Sequence, residues 1–162
     1  MIVRKATEKD SEHIATIAIT TWVDTYALEG MNSSYSRYIM NRFTPENIAL
    51  QIQQCTVLVA ETEFGLCGYA VVSQSDSNKN ELETIYILPK FQNQGIGKLF
   101  IEVIKSEING VIWLKCADDN PQALAFYRSC GFIENGVTWF ELDGQKYRCL
   151  LFEYATSAIP AL

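Results

Sequence analysis

A short glycine-containing loop is the stretch of this sequence whose residue types could do chemistry. A strand-like run at 81–88 stops at Pro89, and residues 92–98 then read Gln-Asn-Gln-Gly-Ile-Gly-Lys at the start of an amphipathic helical pattern. Glycines let a backbone approach an anion closely, and the first amides of a helix have no acceptor inside the helix. Because the helix dipole adds positive potential at the same end, the pattern predicts a phosphate-binding loop.

Two widespread phosphate loops do not match this one. The Walker loop needs the spacing G-x-x-x-x-G-K-[ST], which is absent, and the dinucleotide fingerprint would need a glycine where Phe100 stands. A nucleotide-binding regulator is therefore disfavoured, because the Walker lysine is missing. Taken alone, the loop also fits a glycine-rich turn that precedes a helix and binds nothing.

A second segment favours a ligand-binding loop over that simple turn. Residues 120–132 read Asn-Pro-Gln-Ala-Leu-Ala-Phe-Tyr-Arg-Ser-Cys-Gly-Phe, which is similar to the N-x-x-A-x-x-F-Y-x-x-x-G-F motif of the GNAT superfamily of acetyl-CoA-dependent N-acyltransferases. Gln92-x-x-Gly95-x-Gly97 likewise resembles the Q/R-x-x-G-x-G/A pyrophosphate motif of that family. The two motifs follow the order and spacing of the family, so the resemblance spans about the whole chain.

The resemblance implies acetyl-CoA as co-substrate and no metal ion. In this family a bulge splays the strand before the loop, which leaves backbone groups to pair with the pantetheine arm, while the loop amides hold the diphosphate. The residues expected to contact acetyl-CoA are Ile85, Tyr86, Ile87, Gln92, Asn93, Gln94, Gly95, Ile96, Gly97, Lys98 and Asn120.

Tyr127 occupies the position of the general acid in this resemblance. A phenol near the sulfur atom can protonate the departing thiolate when the acetyl group leaves. The alternative is structural, since Tyr127 would also suit a core position packed beside Phe126 and Phe132.

Glu83 is the expected general base. A primary amine with a pKa of about 10.4 is mostly protonated at pH 7, so a base must remove its proton before it attacks a thioester. The family often has a carboxylate on this strand, and Glu81 lies two residues away on the same face. Two neighbouring carboxylates would raise one pKa and attract a cationic amine, so the choice between Glu83 and Glu81 stays open. The alternative is a solvent-exposed strand face that carries charges.

The acceptor amine is expected to bind near the first two helices and the later strands. The candidates whose aromatic rings or carboxylates suit an ammonium group are Trp22, Tyr26, Glu29 and Glu81. The runs at 22–26, 83–87 and 112–114 look more like bacterial polyamine (spermidine/spermine) N-acetyltransferases than like the ribosomal-protein branch. We therefore expect a polyamine acceptor, with a protein N-terminus, a lysine side chain or an aminoglycoside as alternatives. A non-catalytic acyl-CoA-binding regulatory module is a further alternative from a different class.

The elements that must position these residues follow from hydrophobic periodicity, which predicts the order β-α-α-β-β-β-α-β-α-β-β. We expect an α/β fold of the GNAT acyltransferase type, with α+β character: one mixed sheet of six to seven strands and helices on both faces. Predicted features that bear on the site are a loop at 30–36, a short helix at 38–42, a strand at 66–73 and an exposed polar segment at 74–80.

Length and composition indicate a folded chain. The 162 residues are 48% hydrophobic and 20% charged, which is typical of a globular protein. We expect one domain at 1–154 and a C-terminal tail at 155–162. The net charge of −6 repels polyphosphates, so we expect no nucleic-acid partner.

Cysteine use and hydropathy predict a cytoplasmic protein. The five cysteines are odd in number and show no C-x-x-C spacing, which disfavours a disulfide framework or a thiolate zinc site. No apolar run approaches the roughly 20 residues of a membrane span, and the first residues lack the apolar stretch of a signal peptide. The partner expected is a small-molecule or peptide amine, and the resemblance allows a homodimer through exposed final strands.

Overall fold

A computed structural model describes residues 1–155 of the chain. The predicted tail at 155–162 therefore lies outside the described residues, apart from Ala155, which ends the last strand. Within the described part, the helices and strands in chain order are β1 (Ile2–Lys5), α1 (Ser11–Tyr26), α2 (Ser33–Arg42), α3 (Pro45–Gln54), β2 (Thr56–Thr62), β3 (Gly65–Asp76), β4 (Lys79–Ile87), α4 (Ile96–Glu107), β5 (Val111–Ala117), α5 (Pro121–Ser129), β6 (Ile133–Leu142) and β7 (Gln145–Ala155).

The strands form one mixed seven-stranded sheet with the hydrogen-bonded order β1-β2-β3-β4-β5-β7-β6. The pair β4–β5 is parallel, whereas β1–β2, β2–β3, β5–β7 and β6–β7 are antiparallel. The α/β class and the mixed sheet expected from the periodicity are confirmed.

The chain divides into two compact units, of which unit 1 comprises Met1–Val72 and Thr84–Phe100. The apolar face of α1 is buried in the core of this unit, with Ile14 and Ala18 fully covered. Their partners come from α3 and from the inward-facing residues of β2 and β3, such as Val59 and Val71. This core anchors β4 and the loop that follows it.

Unit 2 comprises Ser73–Glu83 and the chain from Ile101 onward. In the β5–β7 ladder Leu114 pairs with Phe152, and both side chains are buried on one face of the sheet. The ring of Tyr127 in α5 lies 6.3 Å from the ring of Phe152, so α5 covers that face. Because side chains alternate along a strand, Trp113 points to the opposite face.

The structure changes the bounds of two predicted segments. The helix predicted at 38–42 is present but begins earlier, at Ser33, so the loop predicted at 30–36 is shorter; the side chain of Asn32 accepts a hydrogen bond from the Tyr35 amide at 2.9 Å and caps α2. The polar segment at 74–80 is exposed as predicted, apart from half-buried Asn80, but it also extends β3 to Asp76 and begins β4 at Lys79, with a two-residue turn where the Asn78 amide donates to Asp76 at 2.9 Å. Strand pairing therefore outweighs polarity in these residues.

Candidate functional site

The predicted phosphate loop in unit 1 has the backbone of an anion site. Asn93 and Gly95 have φ values of 60° and 85°, which fold the chain tightly before α4 begins at Ile96. The Leu99 amide donates to the Gly95 carbonyl at 3.0 Å, and this is the first hydrogen bond of the helix. The amides of residues 96–98 therefore have no acceptor within the helix. A Cβ atom at Gly95 would meet nothing within 4 Å, which leaves open space beside these amides. The loop therefore fits a diphosphate.

Two glutamine side chains of this loop bind protein carbonyls. Gln92 donates through Nε2 to the Ile87 carbonyl at 3.0 Å, and Gln94 donates to the Lys90 carbonyl at 2.9 Å. Both side chains therefore brace the loop against the end of β4 and the turn after it. Contacts with a diphosphate then fall to the backbone amides.

The part of β4 expected to pair with pantetheine, residues 85–87, is named here the docking segment. The parallel ladder with β5 pairs residues 79–81 with residues 111–113, and β4 itself continues to Ile87. The docking segment thus lies beyond the last pair of that ladder. The ring of Tyr86 packs edge-on against Tyr69 at 5.8 Å and Phe43 at 6.4 Å, so this side chain belongs to the core of unit 1.

Asn120 caps helix α5. Its Oδ1 accepts a hydrogen bond from the Ala123 amide at 3.1 Å, and Pro121 follows at the first helical position. Because this oxygen is already bonded, a contact between Asn120 and acetyl-CoA would use the side-chain amide nitrogen, which is a donor.

Tyr127 is half-buried in an aromatic cluster of unit 2. Its ring centroid lies 5.1 Å from that of Phe126 and 5.8 Å from that of Phe132, both in edge-on geometry. The packing partners predicted by the structural alternative are therefore present. They also restrict the phenol to one orientation, which a proton donor requires.

The two acidic candidates of β4 differ in their surroundings. Glu81 forms an ion pair with Lys115 at 3.1 Å, and its side chain is 18% exposed. Glu83 is exposed, and Leu82 between the two acids is buried, as expected if both acids share one strand face. The structure thus places Glu81 against a lysine that the sequence reasoning did not single out.

The acceptor candidates of unit 1 fall into an exposed and a buried group. Trp22 is 6% exposed, and its ring contacts the rings of Tyr26, Tyr35 and Tyr38 at centroid distances of 5.1, 5.1 and 5.5 Å. Tyr26 is 42% exposed, and Glu29 is exposed in the connection between α1 and α2. Tyr26 and Glu29 can therefore reach a ligand directly, whereas Trp22 supports the ring of Tyr26.

Sequence reasoning also missed Gly68, a buried glycine in the middle of β3. An isolated glycine inside a strand pattern often marks a close approach of another backbone, so this signal was present in the sequence. Lys115 carries no comparable local signal, because a lysine at the exposed position of a strand is ordinary.

Metal-binding groups and membrane-spanning helices are both absent from residues 1–155. These residues contain no group of three or more histidine, cysteine, aspartate or glutamate side chains that could hold a metal ion. Over the same residues, none of the helices has both the length and the apolar character needed to cross a membrane.

Three known proteins show what the chain is similar to. The N-alpha-acetyltransferase RimI of Mycobacterium tuberculosis is 38% identical over 77 residues, which is 47% of this chain and 49% of that protein, so the chain matches about half of its length. The structure of the PaiA N-acetyltransferase of Thermoplasma acidophilum in complex with coenzyme A superposes with a TM-score of 0.72 at 24% identity, covering 95% of this chain and 98% of that one. The spermidine/spermine N-acetyltransferase SpeG of Vibrio cholerae gives a TM-score of 0.67 at 19% identity, covering 96% and 94%.

The two structural likenesses concern the fold. Family membership rests on the sequence match, because the model of the acetyltransferase (GNAT) domain matches residues 53–134, just over half of the 162 residues. That range contains β2 to α5, and with them the phosphate loop and the whole second motif at 120–132. The chain therefore belongs to the GNAT family of acetyl-CoA-dependent N-acetyltransferases.

Proposed function

We propose that the protein transfers the acetyl group of acetyl-CoA to the nitrogen of a primary amine. The observation that carries the proposal is the loop at 92–98, where helix amides and the open side of Gly95 provide space and donors for a diphosphate. When bound, acetyl-CoA supplies the acetyl group in activated form, as a thioester. The docking segment and Asn120 are the further groups that would hold it.

In this proposal Tyr127 holds the proton that leaves with the thiolate, and Glu83 removes the proton of the attacking ammonium. Within unit 2, Tyr127 packs against the face of the sheet that carries Phe152. Glu81 pairs with Trp113 on the opposite face, and alternation assigns Glu83 to the same side.

For the acceptor we propose a polyamine or a similar small cationic amine. Exposed Tyr26 and Glu29 offer an aromatic ring and a carboxylate, which suit an ammonium group. The similarity to a structure named as a spermidine/spermine N-acetyltransferase agrees with this choice. A second candidate is the α-amine of a peptide, which is favoured by the match to a relative named as an N-alpha-acetyltransferase.

Release of free thiol from acetyl-CoA tests these proposals. The panel comprises spermidine, spermine, an aminoglycoside, single amino acids and short peptides with free N-termini. We expect amine-dependent thiol release with the highest kcat/KM for a polyamine, and a higher value for the peptides would favour the second candidate. Binding of acetyl-CoA without release for any amine would identify a non-catalytic acyl-CoA-binding module.

Three further properties belong to the same proposal. We expect residues 1–154 to act as one domain. We also expect the protein to be in the cytoplasm, and fractionation of cells would test this location. We also expect a homodimer through β6, an edge strand along which Ile133 is 73% and Trp139 60% exposed. Light scattering after size exclusion would test the dimer.

A further inference from the structure

Gly68 of β3 lies directly against the backbone of β4 in unit 1. A Cβ atom at this position would lie 2.9 Å from the carbonyl oxygen of Tyr86, 3.2 Å from Cγ1 of Ile87 and 3.4 Å from Cα of Ile87. Gly68 is not among the glycines with positive φ, so its backbone conformation would accept any residue. The requirement for glycine here is therefore one of space and not of backbone conformation.

Neighbours of Gly68 hold the same stretch of β4. The Cys67 carbonyl accepts a hydrogen bond from the Leu88 amide at 2.9 Å, and the ring of Tyr69 packs edge-on against that of Tyr86 at 5.8 Å. From the other side, Gln92 donates to the Ile87 carbonyl at 3.0 Å. The docking segment and Leu88, which follows it, are thus held by three successive residues of β3 and by the first residue of the phosphate loop.

We propose that Gly68 is a positioning residue for acyl-CoA, because its missing side chain sets how deeply the backbone of Tyr86 and Ile87 sits against β3. The inference rests on the proposed function, in which this backbone pairs with the pantetheine arm. Gly68 pairs with Ala60 of β2 on one side, and the atoms nearest to an added Cβ all belong to Tyr86 and Ile87, so its effect on the ligand passes through the docking segment.

A methyl group at position 68 would move the docking segment outward. The closest contact is a backbone oxygen, which cannot rotate away as the end of a flexible side chain can. Strand-type hydrogen bonds depend strongly on distance and angle, so a displacement of a few tenths of an ångström weakens each bond that the segment makes to a ligand. Tyr26 and Glu29, which are proposed to contact the acceptor amine, lie on α1 and the connection after it and not on β4, so we expect the main effect on acyl-CoA.

Gly68→Ala tests the inference, with Gly65→Ala as the matched control. Gly65 begins the same strand, and a Cβ atom there meets nothing within 4 Å, but its φ of 147° makes alanine strained. The control therefore destabilises the protein without touching β4. Circular dichroism gives the unfolding temperature of each variant. Titration calorimetry below that temperature then gives the dissociation constant for acetyl-CoA.

We expect Gly68→Ala to raise the dissociation constant and the KM for acetyl-CoA by about tenfold or more, with the KM of the acceptor unchanged. Gly65→Ala should lower the unfolding temperature and leave both constants for acetyl-CoA as in the wild type. Equal acetyl-CoA affinity in folded Gly68→Ala and wild type would overturn the inference, while absence of acetyl-CoA binding by the wild type would instead overturn the proposed function.

Gln92→Leu provides a second variant in case Gly68→Ala does not fold. Leucine keeps the approximate volume of Gln92 but removes the donor to the Ile87 carbonyl, so the docking segment loses its second support. We expect the acetyl-CoA dissociation constant to rise and the KM of the acceptor to stay constant. An unchanged dissociation constant in this variant would contradict the idea that the position of the segment controls binding.

Discussion

The ammonium of Lys115 lies 3.1 Å from the carboxylate of Glu81, at the last rung of the parallel ladder between β4 and β5. At that rung Glu81 pairs with Trp113, whose indole donates to Ser75 at 3.0 Å. Lys115 also lies 5.8 Å from the centroid of the Trp113 ring. Glu81 is therefore held by a positive charge at its side and is less exposed than Glu83, although the two acids look equivalent in the sequence.

This difference predicts that Glu83→Gln costs more activity than Glu81→Gln. If Glu83 removes the proton of the attacking amine, its replacement should lower kcat by about 10²-fold or more at pH 7. The loss should shrink as pH rises, because free amine becomes abundant without a base. Glu81→Gln, which removes only the partner of Lys115, should change kcat by a few-fold. Rate profiles of both variants between pH 6 and 9 measure the difference, and an equal loss in both would reassign the base.

Tyr127→Phe should lower kcat and leave the affinity for acetyl-CoA unchanged. Phenylalanine keeps the ring contacts with Phe126, Phe132 and Phe152 but removes the proton that the leaving thiolate needs, and a general acid typically contributes about 10²–10⁴-fold. Tyr154→Phe is a suitable control, because Tyr154 is a half-buried tyrosine of the same unit that packs under Lys105. Full turnover in Tyr127→Phe would leave only the packing role.

Gly95→Leu should abolish the thermal stabilisation that acetyl-CoA provides. The side chain would occupy the open space beside the first amides of α4, where the diphosphate is proposed to bind. Leucine is also strained at the φ of 85°, so Gly144→Leu is the matched control: Gly144 has a φ of 78° and equally open space, in the turn between β6 and β7. Both variants should lose stability, but only Gly144→Leu should retain the shift of Tm with acetyl-CoA.

Acid should weaken the fold through the pair of Asp10 and Arg4. A hydrogen-bonded Arg4 guanidinium lowers the pKa of Asp10 to about 2, and its nitrogens lie 2.9 and 3.1 Å from the two carboxylate oxygens. Because the folded pKa is below the unfolded value of about 3.9, this contribution is present above pH 4 and disappears as pH falls toward 2.

Urea unfolding between pH 2 and 5 measures this contribution. Asp10→Asn should be less stable than the wild type at pH 5, and the difference should narrow toward pH 2. Glu61→Gln removes the other, more exposed partner of Arg4 and should have the smaller effect. A constant difference between Asp10→Asn and the wild type across this range would show that the ion pair is not the cause.

Thr21→Val should stabilise the protein. The residue is 4% exposed, and its hydroxyl oxygen has no hydrogen-bond partner within residues 1–155. A buried polar group without a partner costs about 1–3 kcal/mol, and valine keeps the branched shape at Cβ. We expect the free energy of unfolding to rise by about 1 kcal/mol, and a decrease would mean that the hydroxyl is bonded in solution.

The sequence by itself determined the parts of this protein that depend on local chemistry. The glycines and amides at 92–98 and the asparagine cap of α5 act within one turn of the chain, so their motifs carry both structure and function. Hydrophobic periodicity likewise predicted the order of strands and helices, except that the predicted order has two helices before β2 and the structure has three. The start of α2 was missed because a cap at Asn32 can begin a helix in a segment whose composition is typical of a loop.

Tertiary structure alone decided which residues face one another across the sheet. The pairing of Glu81 with Lys115, the contact of Gly68 with the backbone of Tyr86 and the burial of Trp22 among tyrosines all join residues of different elements. Such contacts depend on strand order and register, which are set by the sum of many weak packing and pairing energies over the whole core. No single segment of the chain determines this total energy. The difference in surroundings between Glu81, which is paired with Lys115, and the more exposed Glu83 therefore arises only when the chain folds.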